Sequence, residues 1–123
     1  MEKIKSYTDI EQSKKLAEIL PLESADMYYE PSPGFCTEPS EVRFGDIKYA
    51  HPRSIRCWSL AALLKLLPQK IEHEDHEAEL HINSRMTDLW YENDNFIYFG
   101  TFAEKLIDAC VQLICTLNEK GLL

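Results

Sequence analysis

The hydrophobic patterning of this 123-residue chain predicts an α+β fold, three helices packed on a small antiparallel sheet in the rough order α-β-α-β-β-β-α. Three observations carry that expectation. Ala103, Leu106, Cys110, Leu113, Ile114 and Leu117 recur at steps of three and four near the C-terminus, the stripe of a helix that faces a core. Residues 57–67 are apolar nearly all round, as in a helix sandwiched between layers. Between these two runs, Ala78, Leu80 and Ile82 alternate with Glu79, His81 and Asn83, and Thr87, Leu89 and Tyr91 alternate with Asp88, Trp90 and Glu92, the period of half-buried strands.

Taken in order, Thr8-Asp9-Ile10-Glu11 has the spacing of a capping box. Ile10, Ser13, Leu16, Ala17 and Leu20 follow at helical intervals until Pro21 stops the run, which predicts a first helix from about Asp9 to Leu20. From Pro21 to Pro39 the prolines and Gly34 predict loop and turn, with a Pro-rich loop at about 28–40 as the first candidate for mobility. Glu41 to Tyr49 alternates as a strand or short hairpin, with Val42 and Phe44 inward and, past Gly45, Ile47 and Tyr49. In the next helix Ser59 or Ser54 supplies the cap, Pro68 the stop, and Leu60, Leu63, Leu64 and Leu67 the most buried side chains. Asn93-Asp94-Asn95 is a turn of residues that tolerate positive φ, leading into Phe96-Ile97-Tyr98-Phe99. That last strand is apolar on both faces, which asks for a helix on each side or a second copy of the protein. Thr101 and Glu104 repeat the capping-box spacing to open the final helix, and Gly121 ends it with Leu122 folding back.

Length fits one globular domain over 1–123, and 45% hydrophobic with 28% charged residues is ordinary for a soluble protein. A formal charge of −8 argues against direct binding of nucleic acid or of anionic membranes, both of which need clustered Lys and Arg. The N-terminus lacks the apolar run of a signal peptide and no stretch reaches membrane-spanning length, which predicts a cytoplasmic protein with its cysteines reduced. Cys110 and Cys115 stand roughly 140° apart around one helix and do not converge on a shared metal or disulfide.

Three segments together resemble small uncharacterised proteins encoded in gut Bacteroides-type genomes and prophages. They are Leu20 to Met27, Cys57 to Pro68, and Lys105 to Ile114 with the Asn118-to-Leu123 ending. The resemblance covers most of the chain, with a longer insertion here around Glu30 to His51. It carries no activity and no catalytic residues with it. It implies context alone: a small accessory protein of a mobile element.

The residues that bear chemistry offer two directions. His73, His76 and His81 lie among Glu72, Glu74, Asp75, Glu77 and Glu79, and a helical turn would bring His73 and His76 to one side, although the spacing matches no metalloenzyme signature. No cofactor is expected, since the glycines form no phosphate-binding loop, and neither Cys57 nor Ser59 has a neighbour placed to activate it. The aromatic residues Trp90, Tyr91, Tyr98, Tyr28 and Tyr29 are the candidate binding set, because Trp and Tyr dominate protein interfaces. Strand alternation sets Trp90 on the face opposite Leu89 and Tyr91. The acidic stretch 72–79 is either a solvated loop or a surface that docks a basic partner. The resulting expectation is a non-catalytic binding or accessory protein that acts through a protein partner or as a homodimer through its sheet. The alternative is a small metal-dependent hydrolase with its site near His73, His76 and His81.

Overall fold

Asp9, rather than Thr8, starts the first helix. In the computed structural model, which describes residues 5–30, 41–45, 54–83, 85 and 87–123, α1 spans Ile10–Ala17. The Asp9 carboxylate accepts from the Gln12 N–H at 2.8 Å while Gln12 Oε1 accepts from the Asp9 N–H at 3.1 Å. The capping box is therefore displaced by one residue. Thr8 is fully buried and extended instead, its N–H bonded to the Trp58 carbonyl and its hydroxyl accepting from the Trp58 N–H. Helical hydrogen bonding gives way to turns after Ala17, although Leu20 remains buried.

The segment expected as loop contains a strand. β1 (Met27–Glu30) is the centre of a three-stranded antiparallel sheet in the order β2 (Glu41–Phe44), β1, β3 (Ile55–Cys57). Its Met-Tyr-Tyr run favours extended backbone, and the prolines that marked a loop begin only at Pro31. The remainder of the Pro-rich loop, with Ile47 and Tyr49, lies outside the described residues. Phe44 is 73% exposed rather than inward, at the end of β2, an edge strand of the sheet among the described residues. Leu16, Leu20, Ala25, Met27, Cys57 and Trp58 are buried apolar residues around these elements. One compact unit runs from Ser6 to Ala62, and Leu63–Leu123 with Lys5 makes another.

The chain passes from one unit to the other within α2 (Leu60–Leu66). This helix is shorter than its apolar run because residues 55–57 are strand and Trp58 is core. Ser59 caps it, accepting from the Ala62 N–H at 3.1 Å as expected, and donates its own hydroxyl to Asp26. Only Leu63 and Leu67 are fully sequestered; Leu60 and Leu64 are half-buried. The helix is amphipathic, not central.

Four strands follow as an antiparallel meander in sequence order: β4 (Lys70–His73), β5 (His76–Ile82), β6 (Asp88–Glu92) and β7 (Ile97–Phe102). The fold is α+β, and among the described residues it has three α-helices, as patterning predicts, but two sheets where one was expected. The acidic stretch is no loop. It forms the β4–β5 hairpin, whose two-residue turn holds Glu74 and Asp75 at φ 51° and 66°. Both positions lie in the left-handed region that such turns require and that Asn-Gly usually supplies.

α3 (Leu106–Glu119) packs on β6 and β7 and buries Leu106, Ile107, Ala109, Cys110, Val111, Leu113, Ile114 and Leu117. The helix starts later than the Thr101 spacing implies: Thr101 belongs to β7 and its hydroxyl bonds the Ala109 carbonyl at 3.1 Å, while Lys105 stands at the helix start without a side-chain cap. The expected ending holds. Gly121 takes φ 70° and the Leu122 N–H bonds back to the Leu117 carbonyl at 2.9 Å.

Burial in this core sets a pH response. The Cys110 thiol is pushed up to about 12 by desolvation, and the Tyr91 hydroxyl, which donates to the Pro68 carbonyl at 2.7 Å, also reaches about 12 through burial. Both groups titrate higher when folded than unfolded, so their stability is fully present below about pH 9 and is lost as pH rises towards about 12. Urea denaturation at pH 8, 9, 10 and 11 should show a plateau and then a decline approaching about 1.4 kcal/mol per pH unit for each group. Cys110→Ala should make that decline shallower; an unchanged slope would exclude the thiol as a contributor.

Candidate functional site

Strand pairing assigns each chemistry-bearing side chain of the four-stranded sheet to a face. Ile71 opposes Ala78, Leu80 opposes Tyr91, and Leu89 opposes Thr101, which puts the buried positions on the face that carries α3. His73 opposes His76 on that same inner face, whereas His81 opposes Trp90 on the outer one. The three histidines thus do not converge: the helical turn expected at 73–76 is a hairpin, and five residues along a strand reverse the facing. His73 packs edge-on against Phe99 and Tyr98 at 4.9 and 5.6 Å between ring centroids, and His76 lies 5.7 Å from Phe96. Among the described residues no group of three or more His, Cys, Asp or Glu side chains has metal-binding geometry.

The nucleophile candidates have structural roles. Ser59 is a helix cap. Cys57 lies in a buried cluster with Thr8 and Ser13, and burial holds its thiol above the ordinary value despite the hydrogen bond from the Thr8 hydroxyl, which opposes the shift. A thiol kept protonated is a poor nucleophile.

The aromatic candidate set divides. Tyr91 is fully buried with its hydroxyl bonded, so it is core and cannot form a binding surface. Tyr98 is half-buried on the inner face. Tyr28 and Tyr29 belong to β1 of the three-stranded sheet; Tyr29 donates to the Thr8 carbonyl at 2.6 Å, and burial raises its hydroxyl far above the usual value. Trp90 alone of the set stands on the outer face of the meander, half-buried and stacked on His81 with centroids 5.8 Å apart and planes 14° apart.

That outer face reads as rows across the strands. Lys70, Glu79, Glu92 and Ile97 form one; His81, Trp90 and Gly100 the next; Asp88 and Phe102 a third. A bulge arranges this. Leu89 pairs with Thr101 but Tyr91 with Tyr98, so Phe99 and Gly100 together oppose Trp90. Phe99 takes φ 52°, a left-handed conformation that costs a side-chain-bearing residue about 1–3 kcal/mol. The extra residue turns Phe102 onto the same face as Ile97, where they are 68% and 70% exposed, beside a notch of about 350 Å³ floored by Trp90 and Gly100. Sequence reasoning missed Ile97 and Phe102 as surface residues because plain alternation puts residues five apart on opposite faces.

Towards β5 the face is acidic. A groove of about 370 Å³ is lined by Glu77, Glu79, His81, Glu92, Asn93 and Asp94. Lys70 lies 3.2 and 3.7 Å from Glu77 and Glu79, and the Glu77 carboxylate, more than Glu79, holds its ammonium above the ordinary value. His81 Nε2 lies 3.3 Å from Glu92. Glu72 stands directly across from Glu77, and Glu79 across from Glu92. Like charges in directly opposed positions weaken a sheet. Asp88 Oδ1 and Trp90 Nε1 are shielded from water and have no hydrogen-bond partner among the described residues.

Set beside protein-family models, curated proteins and solved structures, the chain matches none. No helix among the described residues is long and apolar enough to cross a membrane.

Proposed function

We propose that this protein is a non-catalytic binding module that docks another protein on the outer face of the β4–β7 sheet. The observation that carries this reading is the β7 bulge, which gathers Ile97 and Phe102 beside Trp90 as an exposed apolar patch on the face of the sheet opposite α3. Two apolar side chains about two-thirds exposed on one strand, next to a half-buried tryptophan, have the make-up of an interface anchor. The local strain at Phe99 is consistent with a functional arrangement, since a regular strand would avoid it. The metal-dependent hydrolase at His73, His76 and His81 has no comparable support, because those side chains divide between two faces. A role as an accessory protein of a mobile element accords with the resemblance over Leu20 to Met27, Cys57 to Pro68, Lys105 to Ile114 and the C-terminal ending.

Photo-crosslinking in the producing cell tests the reading. A photoreactive residue at Phe102 should give an adduct with another protein, a matched probe at Glu18 should not, and Ile97→Lys should abolish the adduct without changing the thermal melt. An adduct only with a second copy would make the face a self-association surface. No adduct at Phe102 would overturn the reading.

A further inference from the structure

Resting on that reading, we infer that the partner presents an extended segment carrying Lys or Arg, its cationic side chains over the Glu79–Glu92 row and an apolar side chain against Ile97 and Phe102. The apolar patch and the acidic groove are one continuous surface, since Glu92 pairs with Ile97 and Asp88 with Phe102 across β6 and β7. Charge selects the occupant. Among the described residues Glu72, Glu77, Glu79, Asp88 and Glu92 share this face with Lys70 and His81, and the flanking turns add Asp94 and Arg85, which leaves the face acidic. Lys70 is already engaged by Glu77 and Glu79.

The opposed pairs Glu72–Glu77 and Glu79–Glu92 repel in the free protein, and an approaching cation relieves what the unbound sheet tolerates. A second copy of the chain would bring one such acidic face, from a molecule of net charge −8, against another. A basic segment meets the complementary field and leaves its apolar residue for the Trp90–Gly100 notch. The segment lies on the face and does not extend the sheet at β7, because the bulge at Phe99 and Gly100 breaks the regular edge that an added strand would need.

The probe is the fluorescein-labelled peptide Arg-Lys-Leu-Arg-Lys-Leu, titrated with the whole chain by fluorescence anisotropy at low and at physiological salt. We expect saturable binding that weakens with salt. The double variant E79Q/E92Q should weaken it at least about tenfold, and E11Q/E18Q, which removes two exposed charges, one in the first turn of α1 and one at its C-cap, less than about twofold. Ile97→Lys should weaken it as well, and replacing both leucines of the peptide with serine should do the same. Thermal melts establish that each variant folds. Equal loss in the two glutamine pairs, or no saturable binding, would overturn the inference. If the Phe102 crosslink then still captures a partner, the docking face stands and only the assigned chemistry fails; if it captures none, both fail.

Discussion

Trp58→Ala is expected to destabilise the protein by about 3–5 kcal/mol, the usual cost of deleting a large buried aromatic side chain. Trp58 is completely buried, and both its backbone and its ring are engaged. Its N–H and carbonyl pair with Thr8, while its indole Nε1 donates to Ser24 Oγ at 3.0 Å. Alanine keeps the backbone pairing but leaves a cavity and deprives Ser24 of its donor. Trp58→Phe retains most of the volume and should cost less, since Ser24 keeps its own bond to the Pro21 carbonyl. Urea denaturation followed by far-UV circular dichroism is the measurement. A loss below about 1 kcal/mol for the alanine variant would remove Trp58 from the core.

Leu113→Ala should cost about 2–5 kcal/mol. Leu113 lies at the middle of α3, fully buried, with Cys110, Ile114 and Leu117 also sealed along the helix that covers β6 and β7. The removed methyl groups leave space that a helix fixed at both ends cannot collapse to fill. It is held by Lys5 Nζ on Asp108 at 2.6 Å near its start and by the Leu122–Leu117 bond at its end. Leu113→Met keeps the volume and is expected to cost less than about 1.5 kcal/mol. A thermal melt in which the alanine variant shifts no more than the methionine variant would contradict this packing.

The legible parts of the fold were those in which one periodicity ran unbroken. The α3 stripe, its glycine end, the Ser59 cap and the opposite facing of Trp90 relative to Leu89 and Tyr91 follow from spacing alone, because helix and strand periods fix facing locally. The errors arose where two local signals competed. Thr101 and Glu104 have capping spacing, yet the Thr101 hydroxyl reaches the Ala109 carbonyl from within β7, since pairing with β6 extends the strand past the apparent cap. β1 was hidden by prolines that begin just after it, and the β4–β5 turn by Glu74, a residue that rarely announces a left-handed turn even beside the more tolerant Asp75.

The candidate site was legible in its composition but not in its geometry. The acidic run at 72–79 and the aromatic richness around Trp90 are plain in the chain, and so is the choice between a solvated loop and a docking surface for a basic partner. Which side chains share a face depends on register, and register is set by long-range pairing that no single strand encodes. By itself the sequence determined the fold class, the core-facing stripe of α3 and the acidity of the chain. Only the tertiary structure decided that His81 parts from His73 and His76, that Glu79 meets Glu92, and that a bulge at Phe99 brings Ile97 and Phe102 together. The physical reason is that one inserted residue inverts the facing of everything after it, and whether it is inserted is settled by how β7 pairs with β6 and packs under α3.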